Sequence, residues 1–236
     1  MNKRLLLCKL AEIAYKRDSR IKEELKKMGF YNSIIREIKD LKYFITFSNE
    51  EIYISVRGSA NKKNWWRNIN CLTKKGIHRG FLGASKIIFE DIEELGLKDL
   101  PINLTGHSFG SAVASLLGIN MKVHKYNIKS VYAYGQPRVC KKKAKLKDKI
   151  GNIDYRRYVN NLDIVCQVPP SCLGFKHFGS LRYVDSNGIV LINPSNETIS
   201  IDRIKTFEKD MNIEELIKDH EVSYYVSLLE LSDSDE

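Results

Sequence analysis

The chain has 236 residues, of which 43% are hydrophobic and 10% aromatic, and its formal net charge at pH 7 is +10. This length fits one full-sized α/β domain and is too short for two, and no apolar run approaches the ~20 residues that a membrane-spanning helix needs. The five cysteines are scattered and form no Cys-x-x-Cys pair, which argues against a complete disulfide framework and against a zinc site.

The first nineteen residues begin like a signal peptide, but the resemblance ends after seven residues. Lys9 and Glu12 interrupt the apolar stretch, and the apolar residues recur at helical spacing. We therefore interpret residues 3–17 as an amphipathic helix of the fold, followed by a second helix at 19–28. We expect an intracellular protein, either cytoplasmic or peripherally associated with a membrane, without a signal peptide or a transmembrane segment.

The remaining elements follow from local patterns. The predicted elements are a β-hairpin over 42–58, a loop at 59–77, a helix at 81–95 that ends at Gly96, a strand at 102–105, a helix at 109–123, a strand at 130–134, a basic helix at 140–149, a strand at 155–159, two or three short strands between 180 and 201, and a helix at 213–230. Strands alternate with helices from about residue 51 to 159, which predicts a mostly parallel sheet with helices on both faces. We expect one domain over 1–231 and a short, disordered acidic tail over 232–236.

Gly106-His107-Ser108-Phe109-Gly110 fits the pattern Gly-x-Ser-x-Gly between a predicted strand and a predicted helix. In this context the serine lies on a tight strand-to-helix turn, where flanking glycines leave space that Cβ atoms would fill. The start of the following helix offers free N–H groups to a developing oxyanion. The pattern predicts Ser108 as a nucleophile.

A nucleophilic serine needs a base and an acid, which follow it in the order acid, then histidine, in this kind of fold. Asp163 comes just after the predicted strand 155–159, at the end where parallel sheets place catalytic loops. His124 ends the helix that starts at the serine and is therefore excluded. His177 and His220 remain as candidate bases, and the residues alone favour His220 only weakly.

The chain resembles the class 3 lipases, an α/β-hydrolase family of fungal triacylglycerol lipases and their plant and animal relatives. Eight blocks carry the resemblance in order: "IYISVRGS" at 52–59, "NWWRNI" at 64–69, "HRGFLGA" at 78–84, "LTGHSFGSA" at 104–112, "YGQPRV" at 134–139, "VNNLDIVCQVPP" at 159–170, "GFKHFGSLRYV" at 174–184 and "DHEVSYY" at 219–225. Their order and spacing are far more specific than the pentapeptide alone. The resemblance implies the α/β-hydrolase fold and a lipid esterase.

The resemblance also implies roles for individual residues. Ser108, Asp163 and His220 match the catalytic triad, whereas His177 matches a family histidine outside it. The backbone N–H groups of Ser59 and Phe109 match the two donors of the oxyanion hole. Residues 60–76, which include Trp65 and Trp66, match the mobile lid. Ser111 departs from the family, which usually has a glycine there. Neither a metal nor another cofactor is implied.

The basic charge predicts an anionic partner or a solvated surface. Trp65 and Trp66, among several lysines and arginines, indicate contact with an anionic membrane or lipid-droplet surface. The run "KKKAKLKDK" is interpreted as a solvated helix face, and we expect no nucleic-acid partner because no nucleic-acid-binding motif is present. The expected activity is hydrolysis of acylglycerol esters. The alternatives are a phospholipase A1-type activity and a catalytically silent hydrolase fold used for binding.

Overall fold

The computed structural model describes residues 1–59, 71–97, 100–209 and 218–231. The helices are α1 (Lys3–Ile13), α2 (Asp18–Lys27), α3 (Arg79–Leu95), α4 (Phe109–Val123), α5 (Leu146–Ile150), α6 (Asn196–Lys209) and α7 (Val222–Leu231). The strands are β1 (Ser33–Ile38), β2 (Leu41–Phe47), β3 (Ile52–Val56), β4 (Thr73–Lys74), β5 (Ile77–His78), β6 (Ile102–His107), β7 (Ile128–Tyr134), β8 (Cys140–Lys141), β9 (Asp154–Asn160), β10 (Phe175–Lys176), β11 (Ser180–Val184) and β12 (Val190–Ile192).

Within the described residues, eight strands form the central sheet, in the order β1-β2-β3-β6-β7-β9-β11-β12. The five strands from β3 to β11 are mutually parallel, and antiparallel strands complete both edges. The predicted hairpin is confirmed as β2 and β3, in which Phe47 pairs with Ile52. Strands β3 and β6 are buried along their whole length, as expected for parallel strands that are covered on both faces.

The two faces of the sheet carry separate apolar cores. Helices α3 and α4 pack on one face, while α1 and α7 pack together on the other. Side chains alternate between these cores along a strand, so that Val131 enters the first core and Tyr132 the second. The predicted fold class, a mostly parallel sheet with helices on both faces, is therefore confirmed. The carboxyl ends of β3, β6, β7 and β9 meet at one edge of this sheet, where the candidate site lies.

Two predicted elements differ from the structure. The basic segment 140–149 is not one helix, because Cys140 and Lys141 pair with neighbouring short strands and Lys145 has a positive φ of 50°. Helix α6 occupies part of the region where short strands were predicted, and the side-chain hydroxyl of Ser195 accepts a hydrogen bond from the backbone N–H of Thr198 at its start. Strand β1 was not predicted at all.

Two predictions concern parts of the chain that the structure does not describe. Most of the expected lid, including Trp65 and Trp66, lies outside the described residues, and so does the acidic tail 232–236. Among the described residues, no helix combines the length and the apolar character that crossing a membrane requires.

Candidate active site

Ser108 lies on a sharp turn between β6 and α4. Its φ of 59° and ψ of −127° are unusual for a residue with a side chain. A Cβ atom at Gly106 would lie 2.6 Å from the carbonyl carbon of Gly110, and one at Gly110 would lie 2.1 Å from the Val56 oxygen. Neither position can hold a larger residue without moving backbone, so the two glycines allow this turn to form against the end of β3.

A continuous chain of hydrogen bonds runs from Ser108 to Asp163. The Nε2 atom of His220 lies 2.9 Å from the Ser108 hydroxyl oxygen, and its Nδ1 lies 2.9 Å from each carboxylate oxygen of Asp163. Asp163 is fully buried, Ser108 is 2% exposed, and the His220 side chain is 15% exposed. The structure thus brings together the three residues that were predicted as a triad, although 112 positions separate the serine from the histidine.

Asp163 follows β9, and two further contacts hold its carboxylate. One carboxylate oxygen accepts the backbone N–H of Val165, and the other accepts the hydroxyl of Tyr225 at 2.7 Å. Burial raises the pKa of the Asp163 carboxyl, but the electrostatic interaction with His220 and hydrogen bonds from His220 and Tyr225 outweigh it and lower that pKa below its usual value. The carboxylate is therefore ionised at neutral pH.

The turn that carries His220 is fastened to the loop that carries Asp163. The Asp219 carboxylate accepts the backbone N–H of Leu162 at 3.0 Å, and the Asn160 side chain donates to the Asp219 carbonyl at 3.2 Å. Gly135, at the end of β7, faces the same pair with a φ of +57°. A Cβ there would lie 3.0 Å from both the Asp163 carboxylate and the His220 ring. The close approach of the chain to the His–Asp pair therefore depends on this glycine.

The other candidates are placed elsewhere. The Nε2–H of His177 donates to the carbonyl of Cys166, and its buried Nδ1 has no hydrogen-bond partner among the described residues. His124 ends α4, away from Ser108. Two other acidic residues that follow Ser108 can be placed as well: Asp154 lies at the start of β9, the end opposite the site, and Asp185 accepts backbone N–H groups in the turn between β11 and β12. Of the candidate bases, all of which lie in the described part of the chain, only His220 is brought to the serine.

Of the two residues predicted to donate to an oxyanion, Phe109 adjoins the serine, and Ser59 directly follows Gly58, where a Cβ would lie 2.9 Å from the His107 carbonyl oxygen. Phe109 is the first residue of α4, directly after Ser108, and Ser59 lies three residues beyond the end of β3. The position where the family usually has glycine, Ser111, is fully buried, and its hydroxyl donates to the Ser108 carbonyl at 2.5 Å. The extra hydroxyl group is thus accommodated by a bond to the turn itself.

The sequence reasoning missed three residues of this site: Tyr225, His107 and Tyr15. Tyr225 is 62 positions from Asp163, and Tyr15 is 92 positions from His107. Contacts of this range leave no periodic pattern, so local sequence carries no signal for them. Within the described ranges, no group of three or more histidine, cysteine and acidic residues could hold a metal ion.

Comparison with known proteins extends the sequence resemblance. The profile of the family described as "Lipase (class 3)" matches residues 53–172. A lipase from Rhizomucor miehei is 30% identical over 157 residues, which is 59% of this chain and 43% of that protein. A secreted mono- and diacylglycerol lipase from Fusarium solani is 27% identical over 180 residues, or 70% of this chain and 52% of that protein. The chain thus matches about half the length of these curated relatives.

A solved structure agrees with the fold. It is a triacylglycerol lipase whose catalytic centre is described as a serine protease triad, with 22% identity, a TM-score of 0.67, and coverage of 93% of this chain and 92% of its own. The likeness confirms the α/β-hydrolase fold.

The expectation of an intracellular protein is wrong. It rested on the helical character of the first residues, and that feature does not report the destination of a protein. The relative from Fusarium solani is secreted, as is another from Penicillium cyclopium.

The family match covers residues 53–172 of 236, which includes the serine turn, the strands on either side of it and the loop of Asp163. On that match, this chain belongs to the class 3 lipase family.

Proposed function

We propose that the protein hydrolyses carboxylic esters of acylglycerols, with Ser108 as nucleophile, His220 as general base and Asp163 as the acid that orients the base. The observation that supports this most strongly is the hydrogen-bond chain from the serine hydroxyl through the imidazole to a fully buried carboxylate. A histidine that contacts a hydroxyl on one side and a carboxylate on the other is the arrangement that activates a serine.

In the proposed reaction, the Ser108 hydroxyl oxygen attacks the ester carbonyl carbon while His220 accepts the hydroxyl proton. Asp163 keeps the proton of the imidazole on Nδ1 and stabilises the imidazolium that forms. The tetrahedral intermediate then expels the alcohol, which takes the proton from His220, and leaves an acyl group on the serine. Water, deprotonated by His220, attacks this acyl-enzyme; the bond to the Ser108 oxygen then breaks, this oxygen takes the proton back from His220, and the fatty acid is released.

The negative oxygen of each tetrahedral intermediate needs donors that are already in place. We assign this role to the backbone N–H groups of Ser59 and Phe109. Phe109 is the first residue of α4, and backbone N–H groups at a helix N-terminus point toward a site that favours negative charge. Each donor of this kind contributes about 3 kcal/mol to lowering the barrier.

The acylglycerol substrate class is supported by the names of the relatives, which are lipases and a mono- and diacylglycerol lipase. Mass-spectrometric analysis of the products from a panel of tri-, di- and monoacylglycerols and phospholipids would identify the preferred ester. Release of fatty acid from acylglycerols in preference to phospholipids is the expected result. Preferential cleavage at the sn-1 position of phospholipids would replace this assignment by a phospholipase A1 activity.

The catalytic assignment has a direct chemical test. A fluorophosphonate probe should label the wild-type protein once, at Ser108, and Ser108→Ala should lose both labelling and ester hydrolysis. Ser227→Ala, at an exposed position on α7, serves as the matched control and should behave like wild type. Labelling that persists in Ser108→Ala would show that another residue is the nucleophile.

We further propose that the segment 60–76 contacts an anionic lipid surface. Trp65 and Trp66 supply side chains that prefer the membrane interface. At the described end of the segment, Lys74 and Lys75 are exposed and the Leu72 side chain is 58% exposed. Binding to anionic vesicles should exceed binding to neutral ones and weaken as salt is added, and the double substitution of Trp65 and Trp66 by alanine should weaken it. Equal binding to neutral and anionic vesicles at low salt would contradict the electrostatic part.

We also infer that residues 1–231 act as one domain. Two observations support this: α1 packs against the strand that leads to Ser108, and α7, which follows His220, packs against α1. Both ends of the described chain are thereby tied to the site.

A further inference from the structure

His107, the residue before the nucleophile, contacts the backbone of His220. Its Nε2 lies 2.7 Å from the His220 carbonyl oxygen, and its Nδ1 lies 2.9 Å from the Tyr15 hydroxyl. A carbonyl oxygen only accepts hydrogen bonds, so Nε2 must carry a proton. In the neutral ring, Nδ1 is then the acceptor, and the Tyr15 hydroxyl donates to it.

Tyr15 extends the connection to the segment that leads to Ser59. Its hydroxyl oxygen also accepts a hydrogen bond from the backbone of Gly58. A Cβ at Gly58 would lie 1.9 Å from this oxygen and 2.9 Å from the His107 carbonyl oxygen. The absence of a side chain at Gly58 therefore allows the phenol to reach both the end of β3 and the His107 ring.

The three hydrogen bonds form one path, from the Gly58 N–H to Tyr15, from Tyr15 to His107 and from His107 to the His220 carbonyl. His107 is only 4% exposed, and its ring lies 4.5 Å from the His220 ring, centre to centre. The path therefore lies in a largely dry environment, where a hydrogen bond fixes geometry more firmly than it does in water.

The path begins and ends at residues with different proposed tasks. Gly58 immediately precedes Ser59, which is assigned to the oxyanion hole, and the His220 carbonyl belongs to the general base itself. Fixing that carbonyl limits rotation of the backbone that carries the imidazole, and this in turn sets the direction of Nε2 toward Ser108. None of the three bonds involves a reacting atom.

We propose that His107 and Tyr15 are positioning residues, which hold the base and the oxyanion-hole segment in register with each other. The inference rests on the proposed function, because it assigns these residues a purpose only if His220 is the base. It differs from a purely structural role in one measurable way. Loss of positioning lowers the rate of the chemical step, whereas loss of packing lowers stability.

Two amide substitutions separate the two sides of the His107 ring. Glutamine places its amide group near the position of Nε2 and can still donate to the His220 carbonyl. Asparagine reaches only as far as Nδ1 and can still accept from Tyr15. We expect His107→Asn to lower kcat for a short soluble ester by about 10- to 100-fold with KM within about twofold. His107→Gln should retain within about fivefold of the wild-type kcat, and Tyr15→Phe should lower kcat by about three- to tenfold.

The same protein samples give the controls. His124→Asn, at the end of α4, and Tyr31→Phe, at a side chain that is 75% exposed, make matched substitutions away from the site and should leave kcat unchanged. Thermal unfolding shows whether each variant is folded, and the rate of fluorophosphonate labelling of Ser108 reports its activation independently of substrate binding. If His107→Asn does not fold, Tyr15→Phe decides the question by the same measurements.

The outcomes distinguish failure of the positioning role from failure of the proposed function. If the wild type is active, and the folded variants His107→Asn and Tyr15→Phe match it in both turnover and labelling rate, this inference alone is overturned. A His107→Gln variant that is as slow as His107→Asn would also overturn it, because the bond to the His220 carbonyl would then not be what matters. A wild type that neither labels nor hydrolyses esters would overturn the proposed function, and this inference with it.

Discussion

Gly135→Ala should weaken catalysis by crowding the His220–Asp163 pair. The new Cβ would lie 3.0 Å from the Asp163 carboxylate oxygen and from two atoms of the His220 ring. These separations are shorter than ordinary van der Waals contact, so the ring or the carboxylate must move by a few tenths of an ångström. The hydrogen bonds between them, at 2.9 Å, would then lengthen or bend.

The substitution should lower stability through two effects, a backbone cost and a contact, and the contact should also lower kcat. Alanine at a φ of +57° costs about 1–2 kcal/mol of stability, because a side chain is disfavoured in the left-handed region. Inserting a methyl group into a packed site costs about 1–3 kcal/mol more. Displacement of the base from its working geometry should lower kcat by about 10- to 100-fold, since small misplacements of catalytic groups have effects of that size.

Gly96→Ala separates the two effects. Gly96 ends α3 with a φ of +68°, and nothing lies within 4 Å of a Cβ built there. This variant should therefore show the backbone cost without the contact, with a stability loss of about 1–2 kcal/mol and wild-type kcat. Urea unfolding and turnover of a short soluble ester measure both quantities on the same samples. A kcat of Gly135→Ala within twofold of wild type would contradict this prediction, as would an equal loss of kcat in Gly96→Ala.

Three further predictions concern the histidines and Tyr225. His220→Ala should lower kcat by several orders of magnitude with little change in thermal stability, whereas His177→Ala should mainly lower stability. A folded but inactive His177 variant together with an active His220 variant would show that the triad is misassigned. Burial and the nearby Arg157 lower the pKa of His177 well below 6.5. Below pH 6.5 the unfolded chain therefore binds a proton at this histidine that the native protein does not. The free energy of unfolding should then fall by up to about 1.4 kcal/mol for each pH unit below 6.5. Urea unfolding at pH 7.5, 6.5 and 5.5 should give a shallower decline for His177→Gln, which keeps a donor for the Cys166 carbonyl, and equal slopes would contradict the assignment. Tyr225→Phe removes a donor to Asp163 and the acceptor of the Asn160 N–H. It should cost about 1–3 kcal/mol of stability and lower kcat several-fold. An unchanged kcat would argue against a role for the hydroxyl in holding the carboxylate.

The turn of Ser108 was predictable because its requirements are local. A β-favouring run, two glycines and a series of small residues specify a strand, a tight turn and a closely packed helix, and the predicted bounds of 109–123 agree with α4. The helix predicted over 140–149 failed for the opposite reason. Lysine is a good helix former, but pairing of Cys140 and Lys141 with distant strands overrides that preference.

Helix α6 shows a different limit of sequence reasoning. Its β-branched residues, such as Ile199, Ile201 and Ile204, resemble a strand over a short window, and short apolar stretches do not distinguish the two periods well. The choice between His177 and His220 was also open from the residues alone, since both follow Asp163. Family resemblance favoured His220, and the folded chain places it against the serine because the Asp219 turn is bonded to the Asp163 loop.

The packing of α1 against α7 has a consequence for the order of events during synthesis. Leu7 and Leu10 on α1 and Leu229 on α7 belong to one buried cluster, and Lys9 forms an ion pair with Glu230 at 2.6 Å. The ribosome delivers the chain from its N-terminal end, so α1 emerges long before the helix that covers it. His220 lies just ahead of that same helix. The nascent chain therefore completes its second apolar core and gains the proposed base, His220, in a single late step, and a ribosome-bound chain that ends before His220 should not hydrolyse esters.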